Sequence, residues 1–376
     1  MKYCFNCLQP NTRPNSQFTE KGLCPACNYF FETTDIDWQE RYETLADLLS
    51  NYRRRPGSHF DCIIGVSGGK DSTRQALYVR DNLNLRPLLV CLSYPPEQVT
   101  ERGVDNISNL IELGFDTVIS TLSPQTWRNI VREGFLRFTN WAKATEQALI
   151  SSVPQLAIRY KIPLIFWGEN PGLQLGDLKT IGKNGYDGNN LRFMNTVAGG
   201  GLEWLLGAGF ERSKLSPFLY PSPEEFDQES IQIVYLGWFW NDWSLVNNAK
   251  YSCVNGLDIR HDTVENTGDL YGVTSLDEDW VTLNQMIKYY KFGFGRVTDY
   301  ANEEIRLGRM TRERGIELVE RYDDACSDEY IDNFCAYIGV TVEQFWKQVH
   351  SSVNRELFTI ESDGTIRRKF KVGAGL

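Results

Sequence analysis

Between Asp61 and Trp243 five short apolar runs, CIIGV, PLLVCL, TVIS, PLIFWG and IVYLGWFW, alternate with helix-length segments such as STRQALYVRDNL and GVDNISNLIELG. Strand, helix and strand repeated in this rhythm build βαβ units, so this stretch is expected to fold as an α/β domain around a parallel sheet.

The first run leads from Asp61 through Val66 into Ser67-Gly-Gly-Lys-Asp-Ser72 and then into a helical segment. A glycine turn between strand and helix presents free N–H groups at the helix start, where an anion binds. Gly68 and Gly69 let the backbone approach phosphate oxygens, Ser67 and Ser72 offer hydroxyls, and Lys70 supplies a point charge. The spacing is not the Walker pattern, because Ile64 stands where its first glycine belongs and Asp71 follows the lysine. A carboxylate beside phosphates implies Mg²⁺ between them, held by Asp71. A second candidate is Ile165-Phe-Trp-Gly-Glu-Asn-Pro171. In an open α/β sheet ligands sit at the carboxyl ends of strands, which is where Gly168 and Glu169 fall.

Upstream, Cys4-x-x-Cys7 and Cys24-x-x-Cys27 carry the spacing of a four-cysteine tetrahedral metal site in a turn-rich segment too small for its own core. This predicts a zinc ribbon over residues 1–32, with a closed, structural zinc. Trp38, Tyr42, Leu45, Leu48 and Leu49 then recur at helical intervals until Pro56-Gly57, an amphipathic linker over 33–57. The α/β domain follows over 58–246, with Gly182–Gly209 read as a long loop, and 247–376 reads as a helical region. Within that region Lys288-Tyr-Tyr-Lys-Phe-Gly-Phe-Gly-Arg296 admits two readings. One is a glycine loop that swings Lys291 and Arg296 onto phosphates; the other is a helix end with basic capping. The aromatic run Tyr235–Trp243 reads as buried strand and turn, His59, His261 and His350 have no paired spacing, and Cys62, Cys91, Cys253, Cys326 and Cys335 read as packed or incidental thiols.

Composition narrows the partners. Thirty-nine basic residues against 49 acidic ones give a net charge of −10, so no general basic footprint exists for gripping a nucleic acid. The opening MKYCFNCLQPNTRP has no apolar signal core, and no stretch reaches the length of a membrane span, so a cytoplasmic protein is expected.

SGGKDS in this setting resembles the signature of the PP-loop (N-type ATP pyrophosphatase) proteins, which cleave ATP between the α- and β-phosphates and transfer AMP to a substrate oxygen. The ribbon, the linker, SGGKDS, FWGENP, KFGFGR, Thr298-Asp299, Glu304-Ile-Arg306 and Thr311-Arg312 in that order resemble, over nearly the whole chain, the N-acetyl sugar amidotransferases of bacterial O-antigen and flagellin glycan synthesis. Many of those relatives carry a Cys-Trp-Pro-Cys-His-like stretch where this chain reads Asn140-Trp-Ala-Lys-Ala-Thr-Glu146. The resemblance implies a doubly wound, HUP-like parallel sheet. It also implies conversion of an acetamido group on a nucleotide-activated sugar into an acetamidino group, with ATP and ammonia and with release of AMP and pyrophosphate. In such a reaction Mg²⁺, Lys70 and Lys291 would stabilise the departing pyrophosphate, with Asp71, Glu169 and Arg296 in the same catalytic set. No cysteine sits in a glycine-rich elbow with a partnered histidine, so ammonia is expected from elsewhere; the resemblance implies a glutaminase and a cyclase-like partner as its source. Two other readings are a tRNA thiolase adenylating a base, which the absence of a third CxxC and of a basic face disfavours, and a non-catalytic nucleotide-binding module.

Overall fold

The computed structural model describes residues 1–54, 56–168, 185 and 201–375. The five apolar runs form five parallel strands: β1 (Cys62–Gly65), β2 (Pro87–Leu92), β3 (Thr117–Ser120), β4 (Leu164–Trp167) and β5 (Gln232–Tyr235), in the order β3-β2-β1-β4-β5. Register is set by pairs such as Ile64 opposite Leu89 and Phe166 opposite Val234.

Alternation along the strands sends side chains to two covered faces. Cys62 and Ile64 pack with Ala76, Leu77 and Val79 of α3 (Lys70–Asp81), with α4 (Glu101–Glu112) and with Leu45 and Leu49 of α2 (Trp38–Ser50). Ile63, Val90 and Ile165 face the other way onto Ile150, Val153 and Ala157 of α6 (Ala142–Tyr160). This is a doubly wound sheet, and its strand order reverses between β1 and β4, where such sheets open a crevice. Gly65 is required at the end of β1, because a Cβ there would lie 2.8 Å from the Val153 side chain.

The C-terminal region is helical, with helices Val281–Phe292, Arg296–Arg306, Arg312–Tyr322, Asp328–Ile338 and Val342–Ser352, followed by a short hairpin, Phe358–Ile360 with Ile366–Arg368. These helices share one apolar core with α5 (Pro124–Phe138), in which Phe135 stacks on Phe345 at 5.2 Å between ring centroids. The N-terminal segment docks onto the same core: Leu8 is buried in it, and the Leu8 N–H donates to Asn302 Oδ1 at 2.8 Å. Tyr235, Phe239 and Trp243 are buried as expected, while Trp240 stacks on Tyr78 beneath the Arg74 guanidinium. Most of the Gly182–Gly209 loop lies outside the described residues; of the described part, Glu203–Gly207 is a short helix. Among the described residues no helix is long and apolar enough to cross a membrane.

Candidate nucleotide site and metal centre

The crevice at the β1/β4 switch point is a cleft of about 370 Å³. Its floor is Gly65–Ser67, Gly69 and the first turn of α3, flanked by the ends of β2 and β4, and α6 contributes Trp141, Thr145 and Glu146. Gly68 adopts φ +75°, and its Cα faces Asn106 so closely that a Cβ would come within 2.9 Å of that side chain, so the turn needs glycine. Helix α3 starts at Lys70 with Gly69 as N-cap and no side-chain cap, which leaves the positive end of the helix dipole facing the cleft. The Ser67 hydroxyl accepts from the Gly69 N–H at 3.4 Å and the Ser72 hydroxyl donates to the Gly69 carbonyl at 3.1 Å, so both serines brace the turn.

Lys70 Nζ contacts Asp71 Oδ2 at 2.8 Å, and Asn248 Nδ2 donates to the other Asp71 oxygen at 2.6 Å. Asn248 Oδ1 accepts from Arg74 at 2.7 Å, and Arg74 also donates to the Asp242 carboxylate at 2.6 Å. Ser252 donates to the Lys70 carbonyl at 2.6 Å. The helix Leu245–Val254 therefore clamps the loop through residues that no spacing in the sequence singled out. Gly168 lines the cleft, with the Gln75 amide oxygen and Trp243 packed against it; Glu169 lies outside the described residues.

Lys291 and Arg296 are held away from this lining. Lys291 sits in the last turn of Val281–Phe292, where its ammonium donates to the carbonyls of Phe138 and Thr139 at 2.6 and 2.9 Å, at the carboxyl end of α5. Burial lowers its pKa to about 8. Arg296 is buried at the start of the next helix, with Asp269 3.7 Å away. Gly293, at φ +76°, terminates one helix in the left-handed conformation, and Gly295 N-caps the next with its N–H on Asp323 Oδ2 at 2.7 Å. In this arrangement two helices hold the segment at both ends and the Lys291 ammonium is engaged at the end of α5, while the two terminal nitrogens of Arg296 make no hydrogen bond among the described residues, features that accord with the capping alternative.

The opposite wall of the cleft is a strap from the C-terminal region, including Thr274, Asp277, Glu278 and Val281. No motif in the sequence marks it, since these residues lead into the start of the helix Val281–Phe292 and carry no recognisable spacing.

At the N-terminus Cys4, Cys7, Cys24 and Cys27 are all buried, with their sulfurs within 4.8 Å of one another. Cys7 and Cys24 Sγ stand 3.7 Å apart, close to the ~3.8 Å edge of a tetrahedron with ~2.3 Å metal–sulfur bonds. Donors converge on the sulfurs: the Cys24 N–H on Cys4 at 3.2 Å, the Gln9 N–H on Cys7, the Cys27 N–H on Cys24 and the Asn6 amide on Cys27, each at 3.4 Å. Burial opposes the charge of the neighbouring Arg306, yet Cys7, Cys27, Cys24 and Glu303 raise its pKa. A closed thiolate set with N–H donors and a counter-cation fits a bound metal ion. Cys62, Cys91 and Cys335 are buried, Cys326 is half-buried and Cys253 is exposed.

Fold and loop together give a doubly wound α/β protein whose SGGKDS turn resembles the PP-loop signature, with an N-terminal four-cysteine cluster that could hold a metal ion and a helical C-terminal region. Residues 265–371, which include the strap, match the family described as LPS biosynthesis protein WbpG-like, C-terminal domain, in agreement with the amidotransferase resemblance drawn from the motifs. No curated protein matches the chain. Among solved structures it is similar to NMN synthetase from Francisella tularensis, at 14% identity over 77% of this chain and 94% of that one, with a TM-score of 0.33. It is also similar to the NH3-dependent NAD synthetase of Campylobacter jejuni, at 16% identity over 52% and 93% with a TM-score of 0.28. The U34-tRNA thiolase NcsA of Methanococcus maripaludis follows at 14% identity over 90% and 95% with a TM-score of 0.26. Similarity at that level does not extend to activity.

Proposed function

We propose that the chain is an AMP-forming amidotransferase that converts the acetamido group of a nucleotide-activated sugar into an acetamidino group. The observation that carries this reading is the cleft itself, in which an SGGKDS turn and an uncapped helix start face a strap belonging to a WbpG-like domain. The loop suits a triphosphate: backbone N–H groups and Lys70 receive the phosphate oxygens, and Asp71, steadied by Asn248, holds Mg²⁺ against them. An amide oxygen is a poor leaving group. Its attack on the α-phosphate breaks the bond to the β,γ-pyrophosphate and releases the amide proton, and the resulting imidoyl adenylate has AMP as a good leaving group. Ammonia then forms the new carbon–nitrogen bond as the carbon–oxygen bond to AMP breaks.

The cysteine centre holds structural zinc in this reading, since four thiolates leave no open position for chemistry. Glu169 contributes a carboxylate at the end of β4. Ammonia comes from a separate glutaminase with a cyclase-like partner, no nucleic acid takes part, and the work is cytoplasmic, in the synthesis of O-antigen or flagellin glycans.

The reading is tested by incubating purified protein with ATP, Mg²⁺, ammonium and UDP- or CMP-linked N-acetyl sugars. Mass spectrometry should then show one oxygen of the sugar exchanged for NH. No exchange across the panel, with metal-loaded and folded protein, contradicts it.

A further inference from the structure

The strap opposite the SGGKDS turn brings two carboxyls into the cleft, Asp277 and Glu278. Glu278 is 2% exposed, and its two oxygens share one donor, the Val281 N–H, at 2.9 and 3.0 Å. The cations nearest the strap are already committed: Arg102 and Arg260 bind the next residue, Asp279, at 2.8 and 2.7 Å. Among the described residues neither the half-buried Asp277 nor the buried Glu278 has an ion pair, a costly arrangement, for Glu278 above all, unless a cation arrives or a proton is taken. A second group in the same cleft also lacks its partner. Gln75 is 2% exposed, lines the cleft beside Gly168, and its Nε2 has no hydrogen bond among the described residues. The cleft is therefore built around a polar occupant, with acids on the side away from the phosphate loop.

We propose that Asp277 and Glu278 form the subsite for the incoming nitrogen, binding it as ammonium, with Glu278 as the catalytic residue that takes its proton. This rests on the amidotransferase reading above. The N–H bond breaks with its electron pair left on nitrogen, and the proton forms an O–H bond on Glu278. The freed lone pair attacks the imidoyl carbon. The carbon–oxygen bond to AMP breaks with its pair on the phosphate oxygen, and the product leaves as an amidinium that keeps the three remaining hydrogens. Glu278 returns its proton to water.

The two acids differ as these roles require. Burial, reinforced by Asp277 and Asp279, raises Glu278 to about 8, while burial raises Asp277 to about 6, so near neutral pH Asp277 is charged and Glu278 holds a proton in the empty cleft; the charge of an arriving ammonium favours loss of that proton and leaves Glu278 the more basic acceptor of the two. The charged and titratable groups around them are Asp279 on the strap, Arg260, Arg102 of α4, Cys91 of β2, Tyr94 after β2 and Glu146 of α6.

Hydroxylamine supplies the test, because it is uncharged at neutral pH and needs no proton removed before it attacks. Glu278→Gln keeps an oxygen to accept the Val281 N–H but cannot take a proton. With ammonium chloride its rate should fall by about 10²-fold, and with hydroxylamine by at least about tenfold less. Equal losses with both nucleophiles would leave Glu278 as a helix cap and overturn the proposal. Should Glu278→Gln fail to fold, Asp277→Asn is read on the same ratio, with a raised KM for ammonium expected and an unchanged ammonium-to-hydroxylamine ratio overturning the proposal. Wild-type protein that makes neither product overturns the amidotransferase reading and this subsite with it; wild-type turnover with equal variant losses overturns the subsite alone.

Discussion

Asn248→Ala tests how the phosphate loop is held. Asn248 is fully buried, and its amide joins two charged groups, donating to Asp71 at 2.6 Å and accepting from Arg74 at 2.7 Å. A hydrogen bond to a charged group contributes about 1.5–3 kcal/mol. Both partners retain other contacts: Arg74 keeps the Asp242 carbonyl and carboxylate at 3.0 and 2.6 Å, and Asp71 keeps Lys70 at 2.8 Å. The Asp71 side chain is also 31% exposed, so water can replace part of what it loses. The low end of each term applies, and the sum is about 3 kcal/mol. In urea unfolding the midpoint should fall with an unchanged m-value. Turnover should fall further than stability explains, by about tenfold or more, because an unsteadied Asp71 no longer presents its carboxylate in one place. Asn248→Asp should be worse on both counts, since it sets a second carboxylate at contact distance from Asp71. A loss below about 1 kcal/mol in Asn248→Ala would refute the claim that the helix Leu245–Val254 clamps the loop.

Three further outcomes follow from other parts of the molecule. Cys24→Ser should remove about one equivalent of metal per chain by elemental analysis, and retention of the full equivalent would contradict the four-thiolate site. Asp61 is buried and takes bonds from the Arg54 N–H at 2.6 Å, the Arg86 N–H at 2.8 Å and the Arg86 guanidinium at 2.8 and 3.0 Å. Burial alone would raise its pKa, but these bonds outweigh it and hold it low, so its contribution is present above the unfolded pKa and lost as pH falls through the folded one. Asp61→Asn should cost about 1.5–3 kcal/mol at pH 7 in chemical denaturation, since the half-exposed Arg86 can turn to water, and should flatten the acid limb of the stability curve. Lys291 has a folded pKa near 8, below its ordinary value, so the folded state binds fewer protons than the unfolded one between about 8 and 10.4. Wild-type stability should therefore rise with pH across that window relative to Lys291→Met, and parallel curves would show that the ammonium is not buried.

The parts of the fold legible in the sequence were those fixed by local pattern. CIIGV, PLLVCL, TVIS, PLIFWG and IVYLGWFW became strands because a continuous apolar run between helical segments has few other places to go. The paired CxxC motifs converged on one point, since each knuckle is local and the gap between them is short. What the sequence hid was long-range juxtaposition. Asn248 meets Asp71 across 177 positions, and the 273–281 strap reaches the cleft from beyond the last strand. Neither has a spacing rule to reveal it. The KFGFGR segment admits two readings for the opposite reason, because glycines that suit a swinging loop also suit a left-handed cap and a close approach to Asp323. In this structure Lys291 meets the carbonyls of Phe138 and Thr139, a contact no local pattern announces.

In the proposed reaction the SGGKDS turn cradles ATP so that pyrophosphate leaves and AMP passes to an amide oxygen. Chromatography of the nucleotides formed from ATP, with the nucleotide-linked N-acetyl sugar and ammonium present, measures it most directly. AMP and pyrophosphate should appear in equal amounts, matched to the amidine formed and absent without the sugar. Stoichiometric ADP and orthophosphate would contradict it.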